Sequence, residues 1–280
     1  MGSASGPRSL AAGCRGIRVF SQKLRPLVFF HIAKTGGTSA TATLRPLFGD
    51  AVTSDGNLST TCLASRPPAD DMLYHGHPEH GAAWAVPRGA VTATVLRSPE
   101  EQAVSNYLHL LRNPHLPLHD GAMRLGFSGL MRAVPFLLAF QAVSLDVAIA
   151  MGPLHTLDEL FARLPAIRRF LNRIDVVGCL DQLDTVLQDA AQRTGRAKAS
   201  LPPAPCLNTA TEFGTGQREV DQLQAEYRAL AADPLLRRLM EAEASLVARA
   251  HARCASRLKS WVLPVRASRT WRPGTLQAPG

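Results

Sequence analysis

The sequence contains few cysteines and few aromatic side chains. Its 280 residues include five cysteines, and aromatic residues make up 6% of the chain. The cysteines are odd in number, widely spaced and without a Cys-x-x-Cys pair, so the sequence supports neither a disulfide framework nor a cysteine-based zinc site. The aromatic residues are not interleaved with basic ones, and no zinc-finger or helix-turn-helix pattern is present. These absences argue against a nucleic-acid-binding protein.

The sequence also lacks a long, uninterrupted hydrophobic segment. Its most apolar later region, residues 133–149, contains Pro135, Gln141 and Asp146 and is too short to cross a bilayer. Residues 1–25 are basic and hold only short apolar pieces, which is not the pattern of a secretory signal. We therefore predict a flexible basic leader over residues 1–25, no membrane span and a cytoplasmic location.

Acidic side chains are outnumbered by basic ones. The chain has 22 Asp and Glu against 31 Lys and Arg, which gives a net charge of +9. This surplus predicts an anionic partner: a cofactor, a polyanionic acceptor or a membrane surface. The hydrophobic content of 46% is enough for one α/β domain, which we place at residues 26–250. Residues 251–280 are basic and contain no acid, so we predict a frayed tail there.

One stretch, residues 26–39, carries the clearest signal for a ligand site. Residues 27–32 are almost all apolar, aromatic or β-branched, which predicts a strand buried on both faces. A turn with two glycines follows, and then a helix-compatible segment. Strand, glycine turn and helix together point backbone N–H groups and a helix N-terminus at an anion. The candidate anion-binding residues are Lys34, Thr35, Gly36, Gly37, Thr38 and Ser39.

The order of residues in this stretch differs from that of the ordinary nucleotide-binding loop. The Walker pattern is Gly-x-x-x-x-Gly-Lys-Ser/Thr, with the lysine after the glycines. Here Lys34 precedes Gly36 and Gly37. The stretch therefore predicts a phosphate-type site of another kind.

A second candidate site begins at His75. We predict a short strand over residues 72–74, after which a neutral imidazole can take a proton from an acceptor hydroxyl. We favour His77 as the general base, with His75 as the alternative, while solvent-facing loop histidines remain a third interpretation. Gly76 and Pro78 disfavour the helix that a His-x-x-x-His metal site needs, so we predict no metal.

A third candidate site follows the predicted strand over residues 90–96. Arg97 stands where this strand ends, and Ser98 and Pro99 are typical of a helix start. Arg97 can bind a phosphate bidentately, and Ser105 lies about two helical turns further along the same side. All three candidate sites lie at carboxyl ends of predicted strands, where parallel sheets bind ligands.

These segments resemble the sulfotransferases that use 3′-phosphoadenosine 5′-phosphosulfate (PAPS). Residues 29–39, Phe-Phe-His-Ile-x-Lys-Thr-Gly-Gly-Thr-Ser, are similar to the 5′-phosphosulfate loop of the heparan-sulfate 2-O- and carbohydrate-sulfotransferase branch. Gly76 and His77 resemble its catalytic Gly-His motif, and Arg97 with Ser105 resembles its 3′-phosphate motif. The resemblance implies an α/β, P-loop-NTPase-like three-layer fold, with a central, mostly parallel sheet flanked by helices.

The same resemblance extends to a loop late in the chain. At several positions, however, this sequence differs from the pattern of the family. Asn208 resembles a residue of the loop that folds over the cofactor. The family usually has proline where Ala33 stands, and acid, arginine and aromatic residues where this chain has Ser98, Gln102 and Ala103. These departures alter the support around the 3′-phosphate but retain both Arg97 and Ser105.

The resemblance implies transfer of a sulfuryl group from PAPS to a hydroxyl acceptor, a carbohydrate or another small molecule. Lys34 would stabilise the charge on the leaving bisphosphate, and no metal would be required. Two alternatives remain open: a small-molecule kinase of related fold, and a non-catalytic nucleotide-binding relative. The sequence does not identify the acceptor or the oligomeric state.

Overall fold

The apolar residues Leu27–Phe30 form a strand, β1, that is buried along its whole length. Side chains alternate across a strand, so Leu27 and Phe29 enter one hydrophobic cluster, and Val28 and Phe30 enter another on the opposite face. A computed structural model describes this arrangement for residues 23–49, 51–53, 56–64, 72–150, 152–196, 201–205 and 215–261. The two clusters are the two cores on either side of one sheet.

All strand pairs in the described residues are parallel. The order across the sheet is β2-β4-β1-β5-β6, and β3 pairs with the end of β4. β1 is therefore central, with a neighbour on each side that comes from later in the chain. The bounds are β2 Val52–Thr53, β3 Asn57–Leu58, β4 Leu73–Pro78, β5 Val91–Leu96 and β6 Val176–Cys179.

Helices cover both faces of this sheet. They are α1 Gly37–Phe48, α2 Thr60–Ala64, α3 Pro99–Arg112, α4 His119–Ala133, α5 Phe140–Ile149, α6 Leu157–Arg173, α7 Leu183–Arg193, α8 Gln217–Ala229 and α9 Pro234–Trp261. Buried residues of α1 and α7 pack with Leu27 and Phe29, whereas those of α3 to α6 and α8 pack on the Val28 and Phe30 side. The predicted α/β architecture, a parallel sheet flanked by helices, is confirmed.

The strand before the histidine segment is longer than predicted. β4 continues to Pro78, so His75, Gly76 and His77 lie within the strand and not in a loop after it. The reason is β3, which pairs alongside, with Asn57 opposite His77. A Cβ on Gly76 would lie 2.9 Å from the carbonyl carbon of Asn57, so glycine is what allows β3 to approach.

The last helix crosses the expected domain boundary at residue 250. α9 extends to Trp261, and Cys254 is buried in the cluster beside β6. The Arg253 guanidinium donates to the Ile174 carbonyl at 2.6 Å. Residues 251–257 thus pack against the domain, whereas the predicted leader up to residue 22 and residues 262–280 of the predicted tail lie outside the described residues.

Of the helices described, none is by itself both long and apolar enough to cross a membrane. One consecutive pair, His119–Ala133 with Pro135–Ile149, meets the length and composition criteria together but is bent by 68°.

Candidate active site

The loop between β1 and α1 has two residues in the left-handed region. Gly36 has φ of 86°, and Lys34, a non-glycine residue, has φ of 66°. α1 begins at Gly37 and no side chain caps its first turn. An uncapped first turn leaves backbone N–H groups without intrahelical acceptors, and the helix dipole adds positive potential there. The loop therefore presents an anion-binding end of a helix at the carboxyl edge of β1.

The hydroxyl groups of this loop are not equivalent. The Thr35 hydroxyl is buried and donates to the Ile32 carbonyl at 2.8 Å. It stabilises the turn, so this hydroxyl proton is not available to a ligand. Ser39 is buried on α1, whereas Thr38 is exposed in the first turn. Of the three predicted hydroxyl donors in this loop, Thr38 is thus the one that is exposed to solvent.

Histidine rings form a stack along one face of the sheet. The His31 ring lies between those of His75 and His77, with centroid distances of 5.1 Å and 4.4 Å. Phe29 stacks on the far side of His75 at 5.7 Å. The parallel register produces this stack, because Phe29 lies opposite His75 and alternate side chains point the same way.

His77 has one ring nitrogen committed to the protein. Its Nδ1 lies 2.9 Å from the His31 carbonyl oxygen, which can only accept a hydrogen bond. Nδ1 must therefore carry the proton, and the Nε2 lone pair of the neutral ring is left to act as a base. This tautomer is the one that a general base needs.

His75 has the opposite arrangement. Thr41 donates its hydroxyl proton to the Gly37 carbonyl at 2.8 Å, so the His75 Nε2, at 2.6 Å from the same oxygen, must donate. The His75 Nδ1 is then a lone pair, and it is buried without a partner among the described residues. This geometry places His75 beneath the site as a supporting residue and favours His77 as the base.

Burial keeps two of the stacked rings neutral. Burial, with contributions from neighbouring imidazoles, lowers the pKa of His31 to about 3 and that of His75 to about 4. A buried imidazole loses hydration when it is charged, so the neutral form is favoured.

Hydrogen bonds hold both the backbone and the guanidinium of Arg97 in place. Its backbone N–H donates to the Gln141 side-chain oxygen at 2.8 Å, and its carbonyl accepts from the Gln141 amide at 2.9 Å. Its guanidinium donates to the Lys34 carbonyl and to Glu101, each at 3.2 Å. Arg97 therefore ties the end of β5 to the loop between β1 and α1.

A buried carboxylate supports Gln141 from behind. Glu243 accepts hydrogen bonds from the backbone N–H groups of Gln141 at 2.7 Å and Ala142 at 3.0 Å. These are first-turn donors of α5, which have no intrahelical acceptor. Complete burial raises the pKa of Glu243 to about 7, and the two backbone hydrogen bonds oppose a larger rise. Glu243 thus fixes the start of α5, and through Gln141 it fixes Arg97.

Positive charge from two arginines acts on the Lys34 ammonium. Burial lowers the pKa of Lys34, and the positive charges of Arg97 and Arg112 lower it further. The sequence analysis missed Arg112, which ends α3 and donates to the Thr215 hydroxyl. Its signal in the sequence is spacing, because Ser105, His109 and Arg112 fall on one helical face. Cations brought together without a matching number of acids favour a bound anion.

The remaining predicted residues have simpler placements. Ser105 is half-buried on α3, on the same face as His109. Burial lowers the pKa of His109, with Lys34 and Arg112 contributing. Asn208 lies outside the described residues.

A separate group of possible metal ligands lies behind β6. The ligand atoms of Cys179, Asp181 and His251 lie within 4.8 Å of one another. Burial raises the pKa of Cys179 to about 12, and its thiol donates to the Val247 carbonyl at 3.6 Å. The Cys179 thiol is thus protonated and hydrogen-bonded to the main chain.

Comparison of the chain with family models, with curated proteins and with solved structures gives no match. Inferences about its chemistry therefore rest on its own residues.

Proposed function

We propose that this protein is a sulfotransferase that uses PAPS and modifies a hydroxyl group of a carbohydrate or another small molecule. The observation that carries the proposal is the contact of the Arg97 guanidinium with the Lys34 carbonyl beside an uncapped helix N-terminus. The charge of Arg112 adds to it, because it helps to lower the Lys34 pKa. A co-substrate with a 5′-phosphosulfate and a 3′-phosphate offers two anionic ends to such a site. His77, one strand away, adds a base with a free Nε2 lone pair.

In the proposed reaction, the acceptor oxygen attacks the sulfur of PAPS and a new S–O bond forms. The bond between sulfur and the bridging phosphate oxygen breaks, and its electron pair leaves with adenosine 3′,5′-bisphosphate. His77 Nε2 takes the acceptor proton, so the products are a sulfate ester and the bisphosphate. The Lys34 ammonium and the first-turn N–H groups of α1 stabilise negative charge on the leaving group.

Arg97 has a distinct role in this proposal. Its guanidinium binds the 3′-phosphate with Ser105, while Gln141 and Glu243 fix its backbone. Arg112 contributes positive charge at the same anion-binding site.

A cytoplasmic location of the protein stays a prediction.

The experiment is calorimetric titration with adenosine 3′,5′-bisphosphate, and separately with its 2′,5′-isomer, ADP and ATP. We expect the 3′,5′-bisphosphate to bind at least tenfold more tightly than the 2′,5′-isomer, and Arg97→Ala to remove that preference. Arg45→Ala is the matched control, because Arg45 is an exposed arginine at the far end of α1.

Two outcomes would overturn the proposal. A preference for ATP would favour the small-molecule kinase, and absence of nucleotide binding would remove the co-substrate altogether. Binding of the bisphosphate without sulfuryl transfer to any acceptor would instead favour the non-catalytic relative.

A further inference from the structure

A cavity of about 350 Å³ lies on the sheet face opposite the stacked histidines. Phe30 of β1 contributes to its wall, and the Phe30 side chain belongs to the opposite core from that of Phe29. The cavity is thus separated from the candidate active site by the sheet itself. Its volume is within the range of small-molecule sites.

A single stripe of α6 forms one side of the cavity. Ala166, Arg169, Phe170 and Arg173 line it, and their spacing places them on one face of the helix. Phe170 packs edge-on against Phe30 at 5.5 Å between ring centroids. Ala166 has only a methyl group where its neighbours on the stripe are large, so empty volume remains beside it.

Trp84, from the segment between β4 and β5, also lines the cavity. Its side chain is 68% exposed, although its indole N–H donates to the Ile149 carbonyl at 2.7 Å. The hydrogen bond holds the ring in place, so an apolar surface faces solvent at the cavity in a defined orientation. Tryptophan is enriched at binding interfaces, where it offers a large apolar ring while its N–H is hydrogen-bonded.

The charged side chains among the lining residues are both basic. Arg169 and Arg173 are exposed and one helical turn apart, and none of the described lining residues is acidic. Within the described part of the chain, neither guanidinium forms an ion pair. The Asp175 carboxylate accepts from the backbone N–H and hydroxyl of Thr92, which is itself a lining residue, so one hydrogen-bonded acid borders the cavity against the two arginines. An apolar interior with a cationic edge matches a ligand that has an apolar body and one anionic group.

We propose that this cavity binds an amphipathic monoanion of the fatty-carboxylate class. The hydrocarbon chain lies among Phe30, Trp84 and Phe170, and the carboxylate pairs with Arg169 and Arg173. A cavity of this volume admits a chain of about ten carbon atoms. This inference does not rest on the sulfotransferase activity.

The experiment uses Trp84 fluorescence in the full chain, titrated with decanoate below its micelle concentration. We expect a saturable change that Trp84→Phe removes, while calorimetry on Trp84→Phe still detects binding. Octanoate should bind more weakly than decanoate by roughly fourfold for each methylene removed. Decanol, which lacks the charge, should bind at least tenfold more weakly than decanoate.

Two variants test the two halves of the site. Ala166→Phe fills the cavity and should abolish binding, and the double variant Arg169→Ala with Arg173→Ala should weaken it at least tenfold. Circular dichroism and thermal unfolding verify that each variant is folded, and Arg45→Ala serves as the charge control.

Three results would overturn the proposal. The first is equal affinity for decanol and decanoate, which would mean that the arginines recognise no anion. The second is unchanged decanoate binding in folded Ala166→Phe. The third is binding to anionic phosphatidylserine vesicles with none to decanoate, which would indicate a membrane surface instead of a ligand cavity.

Discussion

The imidazole of His31 occupies the space that a side chain on residue 37 would need. A Cβ built on Gly37 would lie 1.9 Å from both Cδ2 and Nε2 of the His31 ring. The ring cannot move away easily, because it is stacked between two other imidazoles. Glycine is therefore required at position 37 for two reasons. It helps to form the turn, and it leaves room for the His31 ring of the same candidate site.

Gly37→Ala should lower the free energy of unfolding by about 1–3 kcal/mol, the usual cost of forcing extra volume into a packed site. Urea unfolding measures the change. Gly152→Ala is the matched control, since a Cβ there meets nothing within 4 Å, and we expect a change of at most about 0.5 kcal/mol.

A double-mutant cycle identifies the contact that is responsible. The cost of Gly37→Ala should shrink when His31 is already alanine, because the clash is then absent. Equal costs in the two backgrounds would show that His31 is not the obstacle.

Glu243→Gln should alter the pH dependence of stability. Burial raises the pKa of folded Glu243 from 4.5 to about 7, so between these pH values the folded protein binds this proton more than the unfolded chain does. The contribution of Glu243 to the unfolding free energy therefore falls as pH rises through this window, by on the order of 3 kcal/mol. Relative to the variant, wild type should be less stable at pH 7.5 than at pH 5.

Urea unfolding at each pH should be carried out on both wild type and Glu243→Gln, and the quantity to compare is the difference between their unfolding free energies. The lowered pKa values of His31 and His75 act in the opposite sense, since the unfolded chain binds their protons more readily. Their contribution is common to wild type and variant and cancels. A wild-type-to-variant difference that stays constant from pH 5 to pH 7.5 would contradict the raised pKa.

Local sequence signals predicted much of the fold. A buried apolar run, a glycine turn and a helix-compatible segment predicted β1 and α1, and Ser98 with Pro99 predicted the start of α3. These signals are local, so the sequence carries them in consecutive residues.

The features that were missed depend on distant contacts. His77 is in a strand because β3 pairs there, and Glu243 supports Gln141 across a separation of 102 residues. The charge of Arg112 acts on Lys34 only because the fold brings the end of α3 near the loop. Sequence spacing marks a helical face, but it does not say which part of the protein that face will meet.

Lys34 offers a test that separates charge from backbone strain. In the proposed reaction, Lys34→Ala should reduce sulfuryl transfer by a factor on the order of 10²–10³, because it removes the ammonium group proposed to stabilise the leaving oxygen. Lys34→Gly should reduce it equally. Glycine accepts the φ of 66° at this position without strain, so the loop should keep its shape. Initial rates at saturating PAPS provide the measurement.

Lys34→Arg, which keeps a positive charge, is the companion variant and should retain more activity than either neutral one. Recovery of activity in Lys34→Gly but not in Lys34→Ala would mean that the loop conformation, and not the ammonium group, limits the rate.

The roles of the two candidate bases can be separated with amide side chains that mimic one ring nitrogen each. His77→Asn can still donate to the His31 carbonyl, as Nδ1 does, but has no base. We expect turnover to fall by a factor on the order of 10²–10⁴. His75→Gln can still donate to the Thr41 hydroxyl, as Nε2 does, and should retain most of the turnover. Affinity for adenosine 3′,5′-bisphosphate, measured by calorimetry, should be nearly unchanged in both variants. The opposite result, an active His77→Asn and an inactive His75→Gln, would transfer the role of base to His75.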